Sequence, residues 1–249
     1  PGFVVVGTDS HTTSHGALGA FFFGMGATEM ASVWSLGFAV NIEVPETIKV
    51  VVTGEFPPFV GAKDLILNVI GTLTAQGANY KVLEFHGETI RRLNTSGRIA
   101  ICNMSVEAGA TSGIVPGDEE TVRYLREESG VTDAIECVQP DADAHYVRTV
   151  EVDVSSLVPQ IACPHMVDNV KPIGAVVGTR VQQIVIGSCT NGRLDDLAVA
   201  AGILRGRKVA AGTRMLVFPA SARIFAQALD KGYVQDFMKA GAVVMNSGC

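Results

Sequence analysis

Residues 181–193, Val-Gln-Gln-Ile-Val-Ile-Gly-Ser-Cys-Thr-Asn-Gly-Arg, constrain the fold more than any other stretch. Residues 183–186 are mostly apolar, with β-branched Ile184, Val185 and Ile186 ahead of a glycine, the pattern of a short buried strand. Gly187 breaks it, residues 188–191 form a polar turn, and residues 194–204 read as a helix. The rhythm then repeats, with strands at 215–218 and 242–245 and a helix at 222–229. Strands alternating with helices imply a mainly parallel sheet wrapped by helices. In such sheets ligand chemistry collects at the carboxyl ends of strands. Cys189 falls at such an end, where helix amides and the helix dipole favour a thiolate. A lone cysteine is nonetheless more often a buried structural residue, so the rest of the chain has to decide.

Two further apolar runs end in reactive side chains. Residues 3–6 lead into Gly7-Thr8-Asp9-Ser10-His11-Thr12, and residues 242–245 into Asn246-Ser247-Gly248-Cys249. The expected division is 1–54 as part of a first α/β domain, 55–164 as a second, and 165–249 as part of a third. In the first, residues 27–37 read as a helix and 48–52 as the closing strand. In the second, residues 64–74 form a mostly buried helix and 80–85 a strand. Residues 98–108 form a helix carrying Asn103 and Glu107, which at four apart share a face. Glu107 lies among Met104, Ala108, Ala110 and Ile114, so its acid has to be paired or shifted in pKa. Asp118 is the expected N-cap of a helix over 118–128, and residues 147–154 alternate as a half-exposed strand.

Composition removes several functions. A net charge of −6 argues against a nucleic-acid surface, which needs clustered Lys and Arg. The longest apolar run, 16–26, is too short and glycine-rich to span a bilayer, and no signal peptide is visible. Five cysteines, an odd number without short spacings, fit reduced thiols in a cytoplasm better than a secreted disulfide framework. Gly24-Met25-Gly26-Ala27-Thr28-Glu29 lacks the third glycine of a dinucleotide fingerprint, which disfavours a nicotinamide-dependent oxidoreductase. Cys102, Cys137 and Cys163 read as structural, and His11 is the histidine best placed for chemistry.

Gly7-Thr8-Asp9-Ser10-His11-Thr12, Ile101-Cys102-Asn103-Met104 with Glu107, and Gly187-Ser188-Cys189-Thr190-Asn191 together resemble the aconitase superfamily of iron–sulfur hydro-lyases. The resemblance covers essentially the whole chain. Residues 15–20 and 43–50 resemble the two-subunit branch, the large subunits of 3-isopropylmalate dehydratase and homoaconitase, more than single-chain aconitase. It implies an internal fragment of an aconitase-like large subunit, with three-layer α/β units and mainly parallel sheets. It also implies a [4Fe–4S] cluster held by Cys189, Cys249 and a third cysteine beyond this chain. Three thiolates can hold such a cluster and leave one iron open as a Lewis acid. Asp9, His11 and Glu107 would surround the reacting hydroxyl as catalytic groups. Ser10 would hold a substrate carboxylate, and Asn103 and Asn191, also expected to bind substrate, would hydrogen-bond near the cluster. The implied reaction is reversible dehydration of a hydroxy di- or tricarboxylate, for the isopropylmalate type a step of leucine biosynthesis. The implied partner is a small swivelling-domain subunit, and the fragment alone is expected to be inactive. Another substituted malate, aconitate itself, or a non-catalytic RNA-binding relative remain the alternatives.

Overall fold

A computed structural model describes residues 1–39 and 42–248. The chain folds as two compact units, Pro1–Ala175 and Val176–Cys249.

The first unit begins with β1 (Val4–Gly7), a 3-10 segment over Ser10–Leu18, and β2 (Phe21–Gly24). β2 lies parallel to β1, with Val4 opposite Phe21. The chain continues through α1 (Ala27–Leu36), β3 (Glu46–Thr53), α2 (Ala62–Leu73), β4 (Lys81–His86), α3 (Glu88–Arg92) and α4 (Thr95–Asn103). A second 3-10 segment, Met104–Ala108, leads into β5 (Ser112–Ile114), α5 (Glu119–Glu127) and β6 (Arg148–Asp153). The antiparallel strands β7 (Gln160–Ala162) and β8 (Val170–Pro172) close the unit. Strands β5-β4-β3-β6 form one all-parallel sheet.

The core forms between this sheet and α2. Leu65, Ile66, Leu67, Val69, Ile70 and Leu73 of α2 are buried, in one cluster with Ile48, Val50 and Val52 of β3 and Leu83 and Phe85 of β4. Burying side chains of this kind stabilises by about 1.5–3 kcal/mol each. Among the described residues, one charged side chain is buried in this unit. Arg98 of α4 is fully buried and makes a two-pronged bond to Asp118, Nη1 to Oδ1 at 2.6 Å and Nη2 to Oδ2 at 2.7 Å. It also donates to the Leu93 and Arg91 carbonyls. Asp118 in turn caps α5 by accepting from the amides of Glu120 and Thr121. Glu120 accepts from the Thr95 amide and hydroxyl at the start of α4. Each helix start is therefore tied to a side chain that also serves the other helix.

The second unit contains β9 (Gln183–Gly187), the single turn α6 (Ser188–Asn191), α7 (Leu194–Leu204), β10 (Arg214–Phe218), α8 (Ala222–Asp230), α9 (Tyr233–Ala240) and β11 (Val243–Val244). Its strands lie in the order β11-β10-β9, all parallel. Leu197, Ala201, Met215, Val217, Ala228 and Phe237 form its core.

The mainly parallel α/β architecture matches the sequence reading, with several differences. The expected boundary at residue 54 falls just past β3, which is hydrogen-bonded to both β4 and β6. The stretches 1–54 and 55–164 thus share one sheet. The expected helix 98–108 is α4 followed by the 3-10 segment. Ser105 Oγ donates to the Ile101 carbonyl at 2.9 Å, a back-bond that competes with regular helix geometry. Strand β2 lies hidden in an apolar glycine-rich run. Helix α9 has no counterpart in the sequence reading, although Gly232 and Gly241, both at positive φ, frame Val234, Phe237 and Ala240 at helical spacing. Cys249 lies outside the described residues.

The linked caps make acid sensitivity predictable. Burial alone would raise the Asp118 pKa, but the Arg98 bonds and charge, with two backbone amides, outweigh it and hold it below its ordinary value. The Arg123 guanidinium works against burial, with help from Thr95, to hold Glu120 at about 2. The unfolded chain protonates both groups near their ordinary values of about 4. Their stabilisation is therefore fully present above about pH 4 and is lost as pH falls through the lower folded values. Urea midpoints measured between about pH 5 and pH 2 should fall steeply, and Asp118→Asn and Glu120→Gln should each flatten that fall.

Candidate active site

In the first unit the side chains gather where β1 ends. Asp9 caps the Ser10–Leu18 segment, its Oδ1 accepting from the His11 amide at 2.7 Å. Its carbonyl accepts from Thr12 Oγ1 at 2.6 Å, so Asp9 is anchored through both backbone and side chain. Ser10 Oγ lies 3.1 Å from His11 Nδ1, and His11 Nε2 lies 3.5 Å from Glu107 Oε1. With Nε2 facing a carboxylate, the proton belongs on Nε2, and Nδ1 is left to accept from the Ser10 hydroxyl. The side chains of His11 and Glu107 are 25% and 38% exposed, open enough for a small molecule to reach.

The support behind His11 is backbone packing and one buried amide. A Cβ on Gly16 would stand 1.8 Å from the Gly113 carbonyl oxygen, so only glycine lets the Ser10–Leu18 segment lie on β5. The Val115 amide donates to the Gly16 carbonyl across the same contact at 3.1 Å. Asn103 is fully buried. Its Nδ2 donates to Ser14 Oγ at 2.9 Å, and Ser14 Oγ donates to the His11 carbonyl at 2.6 Å. Asn103 and Glu107 do not share a helix face: Asn103 ends α4 in the interior, and Glu107 stands part-exposed on the 3-10 segment. Ser14, the link between Asn103 and His11, has no sequence signal beyond its place after the motif.

In the second unit β9 ends at Gly187, whose φ is +115° and whose Cβ would stand 1.9 Å from the Phe218 carbonyl oxygen. Residues 188–191, expected as a polar turn, are the four-residue helical turn α6. That is too short to build a macrodipole of its own, so Cys189 sits within a turn rather than ahead of a long helix. Cys189 is part-exposed. Asn191 Nδ2 donates to Asp196 Oδ1 at 3.0 Å, and the Arg193 amide donates to Asp196 Oδ2 at 3.0 Å. Burial raises the Asp196 pKa, opposed by these two bonds. Asn191 Oδ1 and Arg193 Nε are buried and have no hydrogen-bond partner among the described residues; such an atom left unsatisfied costs about 1–3 kcal/mol. Asp196 is absent from the residues singled out in the sequence, although an acid three residues past Arg193, at the third helical position, is a capping signal.

Among the described residues no three His, Cys, Asp or Glu side chains form a metal-binding group. Burial pushes the Cys102 and Cys137 thiols up, the state of inert cysteines. Cys189 has a soft donor and part exposure, and two unpartnered polar atoms lie on its turn and just after it. That set fits one ligand position of an iron–sulfur cluster, whose irons are held by cysteine thiolates.

Residues 1–249 match the aconitase family (aconitate hydratase). The chain belongs to the aconitase family. It is 50% identical over its whole length to a protein named "Probable 3-isopropylmalate dehydratase large subunit" from Methanothermobacter thermautotrophicus, covering 59% of that protein. It is also 50% identical to "3-isopropylmalate dehydratase large subunit 2" of Archaeoglobus fulgidus, again over 59% of it. A "Probable methanogen homoaconitase large subunit" of M. thermautotrophicus is 45% identical, with 58% covered. The chain thus spans under two-thirds of the length of the curated relatives it matches.

The glycine contacts yield a contrast within this aconitase-family chain. Gly16→Ala should destabilise by about 1–3 kcal/mol or more, since the added Cβ meets backbone. Gly202→Ala, inside α7 with nothing within 4 Å of its Cβ, should stabilise by about 0.4–1 kcal/mol. Calorimetric melting of both variants checks the opposite signs.

Proposed function

We propose that this chain is catalytic-core sequence of a hydro-lyase large subunit that dehydrates and rehydrates a hydroxy di- or tricarboxylate, of the 3-isopropylmalate or homoaconitate type. The observation that carries the reading is the His11–Glu107 pair, with Asp9 and Ser10 at the carboxyl end of β1. It is supported by relatives named for these activities over the whole length of the chain. The remainder of such an enzyme, including a small-subunit partner with a swivelling domain, would complete the site. We place the enzyme in the cytoplasm, where its thiols would stay reduced. No helix among the described residues is long and apolar enough to cross a membrane.

Dehydration removes a proton from one carbon and a hydroxyl from its neighbour, and the hydroxyl leaves as water only if it gains a proton. His11 is built for that second transfer. In the imidazolium form, which Glu107 stabilises and orients, it can give the Nε2 proton to the departing hydroxyl and is left neutral with a proton on Nδ1. Rehydration runs the same transfer backwards, with His11 taking a proton from water. Ser10 directs its hydroxyl toward Nδ1 in the free chain and turns it to a substrate carboxylate when one is bound. Asp9 holds the turn that aims both residues. Cys189 and Cys249 would each hold one corner of a [4Fe–4S] cluster, which when bound supplies a Lewis acid for the substrate hydroxyl and carboxylate.

The test uses the full-length large subunit with its small-subunit partner and 3-isopropylmalate or homoaconitate. His11→Gln and Glu107→Gln should each lower kcat by on the order of 10²-fold, the usual scale of general acid–base catalysis. Unchanged turnover in the Glu107→Gln enzyme removes Glu107 from the mechanism.

A further inference from the structure

We propose that Asp196 is a positioning residue of the Cys189 turn: its carboxylate fixes which way the Asn191 amide faces. The inference rests on the reading of Cys189 as a site residue. It goes beyond that reading by naming what sets the polar atoms around it.

Asp196 makes two separate bonds, one from each carboxylate oxygen. Oδ2 accepts from the Arg193 amide at 3.0 Å, which caps the start of α7 and would suffice for a helix cap. Oδ1 accepts from Asn191 Nδ2 at 3.0 Å, which adds nothing to the cap. A carboxylate only accepts hydrogen bonds, so it admits one orientation of the Asn191 amide, NH2 toward Asp196 and Oδ1 away. Oδ1 is then an acceptor without a partner among the described residues, and two residues along Arg193 Nε is a donor without one. Both atoms are themselves buried, although the side chains that carry them are only part-buried as wholes. The orientation of the Asn191 amide thus sets whether an acceptor or a donor is left over on the Cys189 turn. Gly187, pressed against the Phe218 carbonyl, anchors the other end of the turn, so Cys189 is fixed between a backbone contact and the Asp196 network.

The variant that separates capping from positioning is Asp196→Asn. Its amide oxygen can keep the Arg193 bond, but its NH2 then faces Asn191, which must turn Oδ1 inward to accept. The cap survives and the acceptor turned away from residue 196 becomes a donor. Adding Asn191→Asp places a second carboxylate on the turn. One of its oxygens accepts from the new amide at position 196, and the other restores the acceptor turned away from it. In the full-length large subunit with its partner, Asp196→Asn should leave the melting temperature within a few degrees. It should lower kcat by at least about tenfold, or 1.4 kcal/mol of transition-state stabilisation, and change the electron paramagnetic resonance spectrum of the reduced cluster. The double variant Asn191→Asp/Asp196→Asn should recover most of that loss, a non-additivity that independent sites do not show. Wild-type kcat and spectrum in Asp196→Asn would overturn the proposal and leave Asp196 a helix cap. If the wild-type enzyme has no hydro-lyase activity, the proposed function fails and the iron-free protein decides instead. There the rate of Cys189 alkylation by iodoacetamide should shift in Asp196→Asn and return in the double variant, and an unchanged rate would overturn the positioning role.

Discussion

The contact between Gly16 and Gly113 is the constraint on which the histidine site depends. The Ser10–Leu18 segment has no regular α-helix to stiffen it, and it must still present His11 to Glu107. It does so by lying on β5 at backbone contact distance, with the Val115 amide bonded to the Gly16 carbonyl. A side chain at Gly16 would lift the segment and with it the imidazole. The buried Asn103–Ser14–His11 chain of hydrogen bonds then holds the segment from behind. A fully buried amide that is bonded this way costs little, whereas an unbonded one would be expelled or would distort its surroundings.

The Arg98–Asp118 pair gives that support a rigid base. Breaking a buried pair by removing one partner leaves an uncompensated charge in the interior, which typically costs about 3–5 kcal/mol. Because Asp118 caps α5 and Glu120 of α5 serves the start of α4, the two helix starts hold each other in place. Asn103 ends α4 and Glu107 follows within a turn or so, so the geometry of this network is passed directly to the site. The second unit uses the same combination in smaller form. A glycine at positive φ pressed on a carbonyl ends the strand, and one carboxylate fixes the turn that follows.

Much of this is legible in the residues. The strand ends at Gly7 and Gly187, singled out for chemistry, both terminate parallel strands, because β-branched runs broken by glycine have few other readings. The buried helix α2, the Asp118 cap and helix α7 are equally plain, since each depends on neighbours within one or two turns. The apolar company of Glu107 alone marks it as needing a partner. Where the sequence reading fails, the deciding contact is remote. β3 belongs to a sheet whose other strands come later in the chain, so no local signal excludes a boundary at residue 54. The break of the helix after Asn103 depends on a back-bonding serine and on how closely β5 and the 3-10 segment approach.

The sequence by itself determined the periodicities, the turns and the ordered motifs, and with them the α/β class and the family. These follow from properties that each residue carries locally: branching at Cβ, the freedom of glycine, and the capping ability of short polar side chains. Only the tertiary structure decided that His11 Nε2 faces the Glu107 carboxylate directly, that Asn103 supports the site from the interior, and that Asp196 bonds the Asn191 amide. Those outcomes turn on small differences in separation between backbones far apart in sequence, as in the 3.5 Å of the His11–Glu107 pair and the 2.9 Å from Asn103 to Ser14. Such distances are set by close packing of the whole unit rather than by any one residue's preference.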